Sequence, residues 1–287
     1  MRLVSYNIQY GIGLDGRYDL KRIADSIADA DIILLQEVTR GFSRNDEVDM
    51  VAELKALFPR NFSSFAAPCD VLLGIDDVDG RRVERRLQFG NMVLSRWPIL
   101  AVRHLLLPRS RTFDKLNLQR GAVEAVVDTP SGPLRMYSVH LDHVSPDERI
   151  AQIRFLKARA LNFTTEGGAL TGAEEFGFTG PPLPEDFVMM GDFNMTPESP
   201  EYLEMVGRTD SYYQRSLRAN QMVDACARLG VVTPDSYTWV KSPGDGTEQM
   251  HLDHCFVNAQ LAVRLKSARV DHQALGSDHF PVWLELA

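Results

Sequence analysis

Two apolar runs, Leu3-Val4-Ser5-Tyr6-Asn7-Ile8 and Ile32-Ile33-Leu34-Leu35-Gln36-Glu37-Val38, bracket a stretch of helical periodicity. Between them Leu20, Ile23, Ala24, Ile27 and Ala28 follow the i, i+3, i+4, i+7 spacing of a helix with one buried face, over residues 19–30. The first run reads as a short strand and the second as a fully buried one. Strand, helix and strand make a βαβ unit. Residues 48–58 predict a second amphipathic helix, ended by Pro59. Strands are expected at 87–95, 99–106, 121–128 and 134–141, the last two joined as a hairpin by Thr129-Pro130-Ser131-Gly132-Pro133. Ser145 as N-cap, Pro146 behind it and Asp147 and Glu148 in the first turn open a long helix. Residues 162–186 form a Gly-, Phe- and Pro-rich segment too long for a plain connector, with Phe163, Phe176 and Phe178 as a lid or as core cover. A buried strand, Phe187 to Met190, comes next, and strand runs follow at 252–257 and 280–286. No linker-like break divides residues 1–287. Mixed βαβ units and hairpins predict two packed sheets with helices outside, in one domain.

Composition narrows the class. The 287 residues carry 31 Lys plus Arg against 39 Asp plus Glu, a net charge of −8, with 44% apolar and 24% charged residues. That balance excludes disordered, collagen-like and coiled-coil chains. The three cysteines, Cys69, Cys226 and Cys255, show no CxxC spacing, so free thiols in a reducing compartment are expected. No apolar run reaches about 18 residues, so no stable membrane insertion is expected. The absence of a signal-peptide pattern makes the cytoplasm the expected location. No oligomeric state can be read from the sequence. The charge is unevenly spread: residues 81–120 hold ten Lys/Arg and two acids, a local +8 that leaves −16 for the other 247 residues. Such a segment is either an anion-facing edge or a surface neutralised by acidic neighbours.

Polar residues at the ends of apolar strands are the informative ones. Asn7 and Glu37 belong at one sheet edge, and their hard oxygens suit Mg²⁺. Gly191-Asp192-Phe193-Asn194 directly follows a buried strand. In extended backbone Asp192 and Asn194 project to one side, an arrangement able to deprotonate and orient a water; a self-bonded turn is the alternative. Asp253 stands at the entry of a strand, and Ser277-Asp278-His279 precedes the last one. An Asp beside an imidazole fixes its tautomer, so Asp253 and His279 are a candidate pair. His140 ends another apolar run, either as a structural residue or as part of a site.

Asn7, Glu37, His140, Gly191-Asp192-Phe193-Asn194, Asp253 and Ser277-Asp278-His279 thus occur in one order along the chain. This constellation resembles the endonuclease/exonuclease/phosphatase superfamily, the group of deoxyribonuclease I, abasic-site endonucleases, neutral sphingomyelinases and inositol polyphosphate 5-phosphatases. The resemblance runs from residue 3 to 286. It implies a four-layer α/β/β/α sandwich of two mixed, mainly antiparallel sheets with outer helices. It also implies Mg²⁺ or Mn²⁺ and hydrolysis at phosphorus, first as a phosphodiesterase. A DNA or RNA nuclease, a lipid phosphodiesterase or a small-molecule phosphatase are the alternatives, so the partner is a phosphoester, with nucleic acid as one class. Carried over by position, Asn7, Glu37 and Asp278 match metal-site residues. Asp192 matches the water activator and Asn194 the residue that orients water or phosphate. Asp253 with His279 matches the Asp–His pair, and His140 a second phosphate-facing histidine. Asn91, within Phe89-Gly90-Asn91-Met92, and Arg120 match phosphate-binding positions, and Glu84 an acid paired with His140. Gln9 departs from members with an Asp there, which removes a carboxylate for a second metal.

Three rival readings remain in the sequence. Gly11-Ile12-Gly13-Leu14-Asp15-Gly16 is a literal GxGxxG with Glu37 about 20 residues on, as in dinucleotide-binding folds. Against it, Arg17, Tyr18 and Asp19 intervene before the helix. His140, His143, His251 and His254, from His-Leu-Asp-His occurring at 140–143 and 251–254, offer zinc ligands at poor strand spacing. A binding protein that kept the fold but lost catalysis is the third.

Overall fold

The computed structural model describes residues 1–241 and 248–287. Its strands are β1 (Arg2–Asn7), β2 (Ile32–Arg40), β3 (Phe62–Val78), β4 (Arg81–Ser95), β5 (Ile99–Leu106), β6 (Gly121–Thr129) and β7 (Gly132–His140). They continue with β8 (Phe187–Asp192), β9 (Val223–Asp224), β10 (Trp239–Val240), β11 (Gln249–Met250), β12 (Asp253–Val257), β13 (Leu265–Val270) and β14 (Val282–Leu286). One six-stranded sheet has the order β13-β14-β1-β2-β4-β3 and the other β5-β6-β7-β8-β12-β9, while β10 and β11 pair separately. Among the described residues only β1–β2 and β7–β8 run parallel, so both sheets are mixed and mainly antiparallel.

Strand alternation creates the layers. Leu3, Ile32, Leu34 and Val93 of the first sheet turn inward onto Val123, Ala125, Met136, Val188 and Met190 of the second. Their sequence neighbours turn outward: Val4, Tyr6, Ile33 and Leu35 meet Leu20, Ile23, Ile27, Met50 and Leu54. Those partners lie on helices α1 (Leu20–Ile27) and α2 (Met50–Leu57). On the other side Tyr137, Val139, Phe187 and Met189 meet Ile153, Leu156, Tyr202 and Met205. These come from α3 (Pro146–Leu161) and, beyond the short α4 (Phe163–Glu166), from α5 (Pro200–Val206); α6 (Ala225–Arg228) comes after. Each buried large aliphatic side chain contributes about 1.5–3 kcal/mol, so three apolar interfaces hold four layers together. Asp19, Asp49, Ser145 and Ser199 cap their helices by accepting a backbone N–H three residues on.

Several elements lie outside the sequence expectation, among them the short β9, β10, β11 and α6. β3 and the first half of β4 form a long hairpin that turns at Asp79 and Gly80, with φ of 50° and 74°. Its outer part exposes Val71, Leu73, Ile75 and Val83, so it lacks the one-sided pattern of a covered strand. β13 is a polar edge strand, and α5 is short. Residues 162–186 are not one loop, since they hold α4 and a 3-10 turn at Ala173–Phe176. Phe163 is buried under the Arg135 guanidinium at 4.2 Å, whereas Phe176 and Phe178 stack on each other in solvent.

Gly191 is demanded by the fold. Its φ is 155°, and a Cβ there would lie 1.9 Å from the Val139 carbonyl oxygen. Gly191→Ala should lower stability by about 2 kcal/mol or more, read as the urea midpoint. An unchanged midpoint would contradict this packing.

Candidate active site

Register brings the polar strand ends together. In the second sheet His140 at the end of β7 lies opposite Asp192 at the end of β8, and Asp192 lies opposite Asp253 at the start of β12. In the first sheet Asn7 closes β1 beside Gln36. Glu37 comes next, at a bulge where the β2–β4 register shifts and φ is 59°. A left-handed non-glycine residue at a bulge re-aims its side chain. The Asn7 amide nitrogen then donates to Asp192 Oδ2 at 3.0 Å and to Glu37 Oε1 at 3.4 Å, which links the two sheets.

Asp192 is a buried carboxylate ringed by polar groups. Its Oδ1 accepts the Asn194 backbone N–H at 2.9 Å, and His279 Nε2 lies 3.7 Å from Oδ2. Burial pushes its carboxyl up to about 6, against the pull of His279 and of these hydrogen bonds. Asp253 and His279 meet at 2.8 Å between Oδ2 and Nδ1, and Thr238 Oγ1 donates to the same Oδ2 at 2.6 Å. Burial opposes a charge on His279, yet Asp253 and Asp192 outweigh it and raise the imidazole to about 10. It is therefore an imidazolium at neutral pH.

Arg120 is buried and donates to His140 Nε2 at 2.9 Å and to His143 Nδ1 at 2.8 Å. A guanidinium only donates, so both ring nitrogens accept and both rings are neutral. Burial, then the adjacent Arg120 charge, hold both histidines below their ordinary range. Among the described residues no carboxylate lies within ion-pair distance of Arg120, and its Nε has no partner.

Glu37 and Asp278 are the hard oxygen donors. Trp239 Nε1 donates to Asp278 Oδ2 at 3.1 Å and Ser277 Oγ to Oδ1 at 3.3 Å. Burial, then the Asp278 charge, push the Glu37 carboxyl up to about 7, against His279 and Arg120. Carboxylates crowded in this way suit a hard divalent cation. Asp192, Asp253 and His279 also bring ligand atoms within 4.8 Å of one another. In that trio Asp253 Oδ2 is already engaged by Thr238 and His279.

Several sequence readings need correction. Asn7 turns its nitrogen, not its oxygen, toward Glu37, while Oδ1 accepts the Gln9 N–H at 3.1 Å. Asp192 and Asn194 do not share an extended face: Asn194 has φ 49°, and the segment is the self-bonded turn, with Asn194 Nδ2 donating to Leu141 O at 3.2 Å. His140 accepts from Arg120, so Nε2 is not a donor to phosphate. Asn91 spends both amide hydrogens on the Gly121 and Ser138 carbonyls, at 2.9 and 3.0 Å, and has none for a phosphate. Glu84 sits on the exposed hairpin paired with Arg86 at 2.9 Å, not with His140. In the basic segment Arg85, Arg86, Arg96 and Arg103 each pair with a carboxylate, which removes much of its bare charge. The four histidines do not converge: His140 and His143 hold Arg120, His251 meets Ser236 and His254 meets Met195. The glycine loop does not open a helix, since α1 starts at Leu20, capped by Asp19, and Glu37 faces Asn7. Thr238 and Trp239 join the site without a sequence signal, because no apolar strand run marks their segment, while His143, read from the sequence only as a zinc ligand, joins through Arg120.

Comparison with known proteins agrees with this layout. A family model described as "Endonuclease/Exonuclease/phosphatase family" matches residues 4–279. The chain therefore belongs to the endonuclease/exonuclease/phosphatase family, whose members hydrolyse phosphoester bonds. No curated protein sequence matches it. Among solved structures, an endonuclease/exonuclease/phosphatase from Beutenbergia cavernae is 19% identical with a TM-score of 0.65, covering 99% of this chain and 70% of its own. A mannosyl-6-phosphatase from Bacteroides thetaiotaomicron is 17% identical with a TM-score of 0.62, covering 100% and 99%. TDP2 from D. rerio, complexed with a single-strand DNA product, is 16% identical with a TM-score of 0.64, covering 99% and 97%. At these identities the likeness establishes the fold. Among the described residues no helix is long and apolar enough to cross a membrane.

The His279 imidazole should stay protonated well above neutral pH without added metal, and ¹⁵N NMR of the ring checks this. Asp253→Asn should return its titration toward the ordinary value of 6.5. An imidazole titrating near that value in the unaltered protein would contradict the assigned pair.

Proposed function

We propose that residues 1–287 act as a single catalytic domain, a divalent-metal-dependent phosphodiesterase that directs water in line onto phosphorus. The observation that carries this is the buried Arg120 guanidinium, without a carboxylate partner, beside the buried carboxylate Asp192. A buried guanidinium with no directly paired carboxylate suits an anionic substrate, although Glu37, Asp192 and Asp142 lie near enough to act on its charge, and a raised carboxylate suits a general base.

Glu37 and Asp278 would hold Mg²⁺ or Mn²⁺, with Asn7 beside them. When bound, the ion neutralises charge on the phosphate oxygens. Asp192 takes the proton of the attacking water. Asn194 and Asn7 fix its two carboxylate oxygens through the hydrogen bonds at 2.9 and 3.0 Å. His279, kept charged and oriented by Asp253, donates to a phosphoryl oxygen, and Arg120 complements the remaining charge. His140 and His143 hold Arg120 in place. Water's oxygen bonds to phosphorus as the ester oxygen leaves, and the protein's part is positioning and charge.

Asp192→Asn or His279→Ala should lower kcat by about 100-fold or more with the fold intact. The assay is a metal-supplemented panel of nucleic acid, lipid, sugar-phosphate and aryl phosphodiesters. Full activity in folded Asp192→Asn protein would overturn the assignment of the base. EDTA should abolish turnover and Mn²⁺ restore it, and Glu37→Gln should raise the Mn²⁺ requirement about tenfold or more. Turnover that ignores EDTA would rule out the metal. Cleavage confined to nucleic acid and strongly suppressed by salt would make the protein a nuclease.

A further inference from the structure

The second His-Leu-Asp-His motif contributes Asp253 to the site and leaves His254 unexplained. Strand alternation sends these neighbours to opposite faces of β12. Asp253 reaches His279, while His254 enters the layer beneath the second sheet and packs against Phe193, Tyr202 and Phe256. His254 is fully buried, and its Nε2 donates to the Met195 carbonyl at 2.9 Å. A carbonyl only accepts, so that nitrogen carries hydrogen. The other ring nitrogen faces Asp224 Oδ2 at 3.5 Å, an ion-pair distance and not a hydrogen bond. Asp224 is itself fixed, because its oxygens accept from Tyr202 Oη at 2.9 Å and from the Ala227 N–H at 3.0 Å.

The segment that His254 grips is the one that aims Asp192. Phe193 N–H is bonded to the Leu252 carbonyl at 3.0 Å, and Asn194 N–H to Asp192 Oδ1 at 2.9 Å. Asn194 between them is left-handed, a conformation that costs a non-glycine residue free energy and persists only where both sides are held. Leu252 holds the near side and His254 the far side. We infer that His254, backed by Asp224 and Tyr202, is a positioning residue that locks the turn at 192–195 and so aims the Asp192 carboxylate. β12 then sets both halves of the site, one through Asp253 and the other through His254.

This rests on Asp192 as the base, so the test has a readout independent of turnover. His254→Leu keeps bulk but loses the donor, and His254→Gln keeps an N–H. In ¹H–¹⁵N NMR the Asn194 amide should shift and exchange faster in His254→Leu, and recover in His254→Gln. With the best phosphodiester from the panel, kcat of His254→Leu should fall about 10- to 100-fold while KM and Mn²⁺ affinity stay within about twofold. His254→Gln should regain most of that loss. Should His254→Leu not fold, Tyr202→Phe should give the same amide change in weaker form. An unmoved Asn194 amide in the folded leucine variant, or a rise in KM and a loss of Mn²⁺ affinity accompanying the fall in kcat in both variants, would overturn the proposal. If the unaltered protein turns over no phosphoester, the proposed function falls while the amide readout still decides the role of His254.

Discussion

Asp192 is 2% exposed, and a carboxylate taken out of water is costly unless partners reach it from several directions. Here they come from both sheets: Asn7 from the first, the Asn194 amide from its own turn, and His279 from the segment before β14. The arrangement needs the sheets at a fixed stagger, because Asn7 and Asp192 end strands of different sheets and still meet at 3.0 Å. The apolar interface between the sheets supplies that stagger, and Gly191 lets β7 and β8 approach closely just before the carboxylate. Packing and chemistry are therefore coupled at one residue.

Charge in the site is balanced only in part. Glu37, Asp192, Asp253 and Asp278 face two fixed cations, Arg120 and His279, since His140 and His143 are neutral. Carboxylates therefore outnumber cations around the site, and the buried Asp142 adds a further negative charge beside Arg120. The Glu37 and Asp192 carboxyls are raised chiefly by burial, with neighbouring carboxylates adding to it. The chain's overall −8 thus says little about its partner, because much of the local acidity belongs to a site whose Arg120 still suits an anion.

Burial and periodicity are the features that a sequence displays most openly. β1, β2 and β8 are apolar on both faces, so their runs stand out, and Asn7, Glu37, Asp192 and His140 stand out at strand ends. The hairpin of β3 and β4 is hidden because its outer half is solvated on both faces and mixes Leu72, Leu73 and Ile75 with Asp70, Asp76 and Asp77. The Asp79-Gly80 turn is its one local signal. The roles of Asn91, His140 and Asn194 are not legible because they depend on which side-chain atom meets which partner. Asn91 lies on a strand expected from the sequence, yet both its hydrogens go to the other sheet's backbone. His254 is readable only as half of a zinc motif, since alternation hides which face a single residue takes. Arg120 and His143 are 23 residues apart, and no spacing rule joins them.

If Asp192 is the base, its carboxylate should stay free of the metal and face the water that attacks the phosphate. A crystal structure of the protein soaked with Mn²⁺ and inorganic phosphate, read by anomalous scattering at the manganese edge, tests this directly. One manganese should sit on Glu37 and Asp278, and a phosphate against Arg120 and His279. Manganese seated on Asp192, Asp253 and His279, or phosphate bound away from Arg120, would contradict it.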